Sequence, residues 1–166
     1  MSKIEKGQKL PSVTLKKAGA DGLDEINIAD HVAGKNVIIF AVPGAFTPTC
    51  AEQHLPSFLE NYDDIIAGGV DEIICVAVND PFVMAHWEDV SGAKGKITML
   101  PDGNAAFTKA IGMDFDGSGF GLGTRSLRYL MHVEDGTVTA LQVEDNPGEM
   151  TITSGSQCIS LLQNAA

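Results

Sequence analysis

The chain is short of basic side chains: 11 Lys and Arg stand against 22 Asp and Glu, a net charge of −11. That excludes binding to a nucleic-acid backbone, which needs a clustered basic footprint. The scattered acids by themselves indicate a solvated surface rather than a partner. Long apolar runs are missing as well. The longest, 37–42 and 73–78, are the size of strands, so no membrane-spanning helix is expected. Cysteine is sparse, with Cys50, Cys75 and Cys158 forming an odd set without a C-x-x-C pair. A zinc ligand set and a secreted disulfide framework are therefore not indicated. Residues 1–6 lead into no apolar stretch and read neither as a secretory signal nor as an Arg/Ser-rich transit peptide. Free thiols call for a reducing compartment, and the cytoplasm is the expectation. Linkers, internal repeats and low-complexity segments are absent, and one domain over 1–166 is expected.

A chain of 166 residues, 44% of them hydrophobic, can build a substantial core. Surface scaling gives about 25,000 Å² for the unfolded chain and about 8,000 Å² folded. Residues 12–17 and 23–28 read as short strands around a turn at Gly19 to Gly22, with a brief helix at 28–32. The β-branched apolar run 36–42 predicts a strand buried on both faces. After Pro43 and Gly44 comes a helix start, with Thr47 as N-cap and Pro48 as first helical residue. Leu55, Phe58, Leu59, Tyr62, Ile65 and Ile66 continue it at helical spacing, and Pro56 predicts a kink near Glu52. The pattern repeats with a buried strand at 71–78, a cap at Asn79 or Asp80, and a helix at 82–90. Such βαβ units imply parallel strands and right-handed crossovers. A short strand at 97–100, a helix at 105–111, a hairpin of 126–133 with 137–143, and a closing helix at 157–163 complete a mixed-sheet α/β domain.

Cys50 falls on the third residue of the first helical turn, where backbone N–H groups and the helix dipole favour thiolate over thiol. The ordinary fate of a free cysteine, a small buried hydrophobe, is the competing reading. His54, four residues on, raises a Cys–His hydrolase, but no Asn or Asp is evidently placed to orient the ring. His31, His86 and His132 show no metal spacing. The glycine-rich stretch 117–123 lacks G-x-G-x-x-G and precedes a strand, so it is no nucleotide loop. Cys158 shares a helical face with Leu161 and Leu162, which fits packing. Cys75, inside an apolar strand, has packing as its default. In one continuous strand Arg125 and Arg128 would point to opposite faces, so both lining one pocket in the same way is not expected.

The run Pro43-Gly44-Ala45-Phe46-Thr47-Pro48-Thr49-Cys50 resembles the P-x-x-x-T-x-x-C signature of the peroxiredoxins. Its continuation through Pro56 is similar to the type II or "five" subfamily, as are 78–84 and 122–129. The resemblance implies a thioredoxin-like fold with a central mixed sheet flanked by helices. It implies a cofactor-free, metal-free peroxidase acting on hydrogen peroxide and organic hydroperoxides. By the same resemblance Cys50 is the peroxidatic cysteine, Thr47 orients the peroxide, and Pro43 shields the site. Arg128 is the active-site arginine, with Arg125 left as support or surface, and the N–H groups of Gly44 and Cys50 complete the peroxide pocket. Cys75 stands where some members carry a resolving thiol, and resolving and packing stay open. Glutathione with glutaredoxin, or thioredoxin, is the implied reductant, and a homodimer meeting near Phe120 and Leu122 the implied assembly. A redox sensor or thiol relay using the same Cys50 chemistry is the alternative; an inert binding module would need an unreactive Cys50.

Overall fold

The computed structural model describes residues 2–164 of the chain. A hairpin comes first, β1 (Thr14–Gly19) and β2 (Gly22–Asn27), followed by helix α1 (Ile28–Val32), whose first turn is capped by the Asn27 side chain. Strand β3 (Asn36–Ala41) runs to a loop and then to a π-helical turn, Cys50–His54. Helices α2 (Leu55–Glu60) and α3 (Tyr62–Ala67) lead back to β4 (Glu72–Ala77). Helix α4 (Pro81–Ser91) and β5 (Ile97–Pro101) form the next crossover, and α5 (Ala106–Ala110) follows. A small two-stranded sheet pairs β6 (Asp114–Asp116) with β7 (Thr124–Ser126). The chain then re-enters the main sheet through β8 (Tyr129–Glu134) and β9 (Thr137–Val143), and α6 (Gly155–Asn164) follows.

The main sheet has five strands in the order β5-β4-β3-β8-β9. Strand β3 pairs parallel with β4 on one side and antiparallel with β8 on the other, which makes it the mixed sheet expected from the sequence. Both faces are covered, and side chains divide between them with the period of two that a strand dictates. Ile38, Phe40, Ile73, Cys75 and Met99 enter a core with Leu55, Phe58, Trp87 and Cys158. Val37, Ile39, Ile74, Val76 and Leu100 enter the opposite core with Ile28, Phe107 and Met131. Continuous apolar runs at 37–42 and 73–78 are what burial on both faces requires. The exposed surface of 7767 Å² matches the size scaling.

Two local predictions need correction, and a third takes a specific form. The helix after Cys50 is not one piece: Asn61, at φ −102° and ψ 8°, divides α2 from α3, and its side-chain N–H donates to the Ser57 carbonyl at 2.7 Å. The kink near Glu52 takes the form of the π turn. Pro56 has no N–H to offer the Glu52 carbonyl, and the Leu55 N–H bonds the Cys50 carbonyl five residues back. The strand expected over 126–133 breaks after Ser126, so Arg128 lies between β7 and β8 rather than within a strand.

Candidate active site

The C-terminal end of β3 delivers the loop that carries the site. Val42 donates its N–H to the Val76 carbonyl at 3.1 Å, and Ala45 donates to the Asn79 side-chain oxygen at 2.9 Å. Asn79 thus anchors the loop while Asp80 alone caps α4, accepting from Phe82 and Val83. Phe46 turns the chain at φ 65°, a left-handed conformation that costs a side-chain-bearing residue about 1–2 kcal/mol. At Gly44 a Cβ would meet Arg125 Nη1 and Thr47 Cγ2, so a larger residue would push two candidate site residues outward.

Thr47 occupies the N-cap position in a different manner from the one expected. Its carbonyl accepts from Ala51 at 2.8 Å, but its hydroxyl donates back to the Gly44 carbonyl at 2.7 Å instead of accepting from a helix N–H. With its proton so committed, the Thr47 oxygen presents its lone pairs outward as an acceptor.

Cys50 is fully buried, and Arg128, also buried, donates from Nη2 to Cys50 Sγ at 3.1 Å. The guanidinium is held at its two other nitrogens: Nε donates to the Pro147 carbonyl at 3.0 Å and Nη1 to His54 Nδ1 at 2.9 Å. His54 Nε2 lies 2.8 Å from the Thr153 carbonyl, which can only accept. That contact fixes the tautomer with the proton on Nε2, leaving Nδ1 free to accept from Arg128. Burial first, and the Arg128 charge second, hold the His54 pKa down to about 3. A neutral imidazole facing a guanidinium is an acceptor, not a base for the thiol, so the geometry offers no Cys–His hydrolase.

Arg125 also reaches this segment, as a support rather than as a second lining of the cleft. Its Nη1 donates to the Pro43 carbonyl at 3.3 Å and its Nε to the Leu122 carbonyl at 2.9 Å. The break between β7 and β8 lets both arginines face the Pro43 to Cys50 loop, one on its backbone and one on its sulfur. Above them opens a cleft of about 530 Å³, with Pro43, Thr47, Phe120, Leu122 and Arg128 in its walls.

The other cysteines are elsewhere. Cys75 is fully buried in β4, on the same sheet face as Phe40, whose ring packs on His54 and Phe58 at centroid distances of 4.9 and 4.0 Å. Burial pushes its thiol well above the usual range. Cys158, in α6, is buried and pushed up to about 12 by desolvation. Among the described residues no three His, Cys, Asp or Glu side chains come together as a metal site. Asn79, a cap candidate beside Asp80, serves the loop instead, and Pro147, Thr153 and Glu144 join the site with no motif to mark them.

The Redoxin family model matches residues 5–156. Peroxiredoxin-2E-2, chloroplastic, of Oryza sativa subsp. japonica is 43% identical over 96% of this chain and 72% of its own length. Peroxiredoxin-2B of Arabidopsis thaliana is 40% identical over 86% of this chain and 87% of its own. The chain belongs to the type II peroxiredoxins. Among solved structures it is similar to reduced Prx3 from Vibrio vulnificus in complex with H2O2, at a TM-score of 0.90 and 44% identity, covering 96% of this chain and 99% of that one. This peroxiredoxin therefore has a thioredoxin-like fold and is a thiol peroxidase that acts on peroxides and is recycled by a thiol. The cytoplasmic expectation is overturned by the relatives: alongside the chloroplastic protein stands Peroxiredoxin-2F, mitochondrial, of Arabidopsis thaliana, 40% identical over 86% of this chain.

Proposed function

We propose that Cys50 is the peroxidatic residue and that Arg128 is its electrostatic partner. The observation that carries this is the 3.1 Å contact of Arg128 Nη2 with Cys50 Sγ inside the protein. In the step, the thiolate sulfur attacks the nearer peroxide oxygen, the S–O bond forms and the O–O bond breaks. The departing oxygen leaves as alkoxide or hydroxide and takes up a proton as alcohol or water, while Cys50 becomes a sulfenic acid. The fixed guanidinium sits where negative charge passes from sulfur to oxygen and needs no reorganisation to stabilise it. Thr47 accepts the peroxide O–H, the Gly44 and Cys50 N–H groups line the pocket, and Pro43 keeps bulk water out. Arg125 braces the loop through the Pro43 carbonyl. Hydrogen peroxide and alkyl hydroperoxides are the substrates, the apolar walls of the cleft receiving the alkyl chain.

Resolution follows from burial. With Cys75 and Cys158 inaccessible in the packed fold, an outside thiol of the glutathione/glutaredoxin or thioredoxin type reduces the sulfenic acid. A second route, through Cys75 after the π turn unwinds, has one observation in its favour: Cys50 and Cys75 share one core. The exposed rings of Phe46, Phe82 and Phe120 are the proposed contact of a homodimer.

Thiol counting with intact mass on the reduced protein, after one equivalent of hydrogen peroxide, tests these roles. Loss of one thiol with gain of one oxygen supports the external reductant. Loss of two thiols and two hydrogens means an internal disulfide, with Cys75 the first candidate. Three intact thiols would refute the role of Cys50.

A further inference from the structure

Glu144 follows directly on β9 and is buried, with 4% of its surface exposed. Its backbone N–H donates to the Arg128 carbonyl at 3.0 Å, so it is fixed to the main sheet beside that arginine. Its carboxylate gathers a loop. Oε2 accepts from the N–H groups of Thr151 and Ile152 at 2.9 and 2.8 Å and from the Thr153 hydroxyl at 2.7 Å. Oε1 accepts from the Thr151 hydroxyl at 2.6 Å. Both carboxylate oxygens are thus occupied, and a stretch without regular structure gains a rigid centre.

The backbone carbonyls of this stretch face the active site. Pro147 accepts from Arg128 Nε, Gly148 from the Thr49 hydroxyl at 2.9 Å, and Thr153 from His54 Nε2. The far end is tied by the Gly155 N–H, which donates to Ser57 Oγ at 3.0 Å. Two of the three anchors of the Arg128 guanidinium therefore run through the strap: one to Pro147, the other through His54 to Thr153.

We infer that Glu144 is a positioning residue for peroxide reduction, holding the 145–155 strap so that its carbonyls fix Arg128 on the Cys50 sulfur. The inference rests on the assignment of Cys50 and Arg128 made above. A guanidinium free to swing on one remaining contact spends part of its time off the sulfur, and displacements of about 1 Å cost up to about 100-fold in rate. Glutamine keeps an oxygen at the Oε2 position and can offer its amide N–H₂ to the Thr151 hydroxyl, so it preserves the clamp; alanine leaves every donor unpaired.

The test is the second-order rate of Cys50 oxidation by hydrogen peroxide, measured on reduced full-length protein well below its unfolding temperature. Glu144→Ala is expected to slow it about 10- to 100-fold, and Glu144→Gln to recover most of that loss. In an Arg128→Met background Glu144→Ala should slow the reaction no further, because the arginine through which it acts is gone. If Glu144→Ala does not fold, the Thr151→Val, Thr153→Val pair removes two of the four donors and should slow oxidation in the same direction. A wild-type rate in Glu144→Ala or in the threonine pair, no recovery in Glu144→Gln, or losses that multiply in the Arg128→Met background would overturn the inference. A wild-type protein that does not consume peroxide would instead refute the role of Cys50.

Discussion

The tautomer of His54 makes a prediction about stability. In the unfolded chain the imidazole titrates near its ordinary 6.5, whereas in the fold it is held down to about 3. Below pH 6.5 the unfolded state binds a proton that the folded state refuses, so stability is fully present above 6.5 and is lost as pH falls towards 3. Linkage gives a loss of about 2 kcal/mol from this one group between pH 7 and pH 5. At a urea slope of about 2 kcal/mol/M the midpoint should fall by roughly 1 M over the same interval. The control is His54→Asn, whose side-chain oxygen stands near the Nδ1 position and does not titrate. The variant starts less stable, having lost the Thr153 contact, but its midpoint should change much less between the two pH values. His132, also lowered by burial with Glu134 partly offsetting it, contributes to both proteins and cancels in the difference. Glu144 and Glu72, both lowered carboxylates, lose their contribution only below the ordinary carboxylate range and leave the interval clear. Equal midpoint shifts in the two proteins, measured at one protein concentration, would refute a neutral His54 and the Arg128 geometry built on it.

Arg128→Met should slow peroxide attack by about 10²–10³-fold, the usual cost of a lost charge-stabilising donor, and Arg125→Ala by about tenfold, as expected of a brace that acts through the loop backbone. Stopped-flow oxidation rates decide, and the reverse order would transfer the principal role to Arg125. In native protein a thiol reagent should leave Cys75 and Cys158 unmodified until denaturant is added; prompt reaction of either would show that its strand or helix opens readily. Gly155→Ala should lower stability by about 1–3 kcal/mol, because a Cβ there runs into the Ser57 backbone. An unchanged thermal midpoint would mean that α6 shifts to accommodate it.

The sheet was legible because its strands are buried on both faces and so write themselves as unbroken apolar runs. The site loop was legible for a different reason: threonine, proline and cysteine at fixed spacing mark a helix start that is also a chemical motif. The strap was not. Its polar and glycine-containing stretch has no periodicity, and Glu144 finds its partners seven to nine residues further along with no local signal. The break between β7 and β8 was not legible, because parity assumes an unbroken strand and nothing in Ser126-Leu127-Arg128 announces it. His54 was weighed as a base because sequence shows its distance from Cys50 but not the carbonyl and guanidinium that claim its two nitrogens.

The π turn at Cys50–His54 fits one residue more into the coil than an α-helix would. Upstream and downstream of it the helix therefore follows two different phases, offset by about 100°. The downstream phase is tuned to the core, where Leu55 and Phe58 pack against Phe40; the upstream phase is tuned to Arg128. A single-residue deletion within the turn would restore ordinary winding and force a choice, because a sulfur kept on the guanidinium would turn Phe58 out of the core. The extra residue works as a phase-shifter, letting one short helix obey two incompatible addresses.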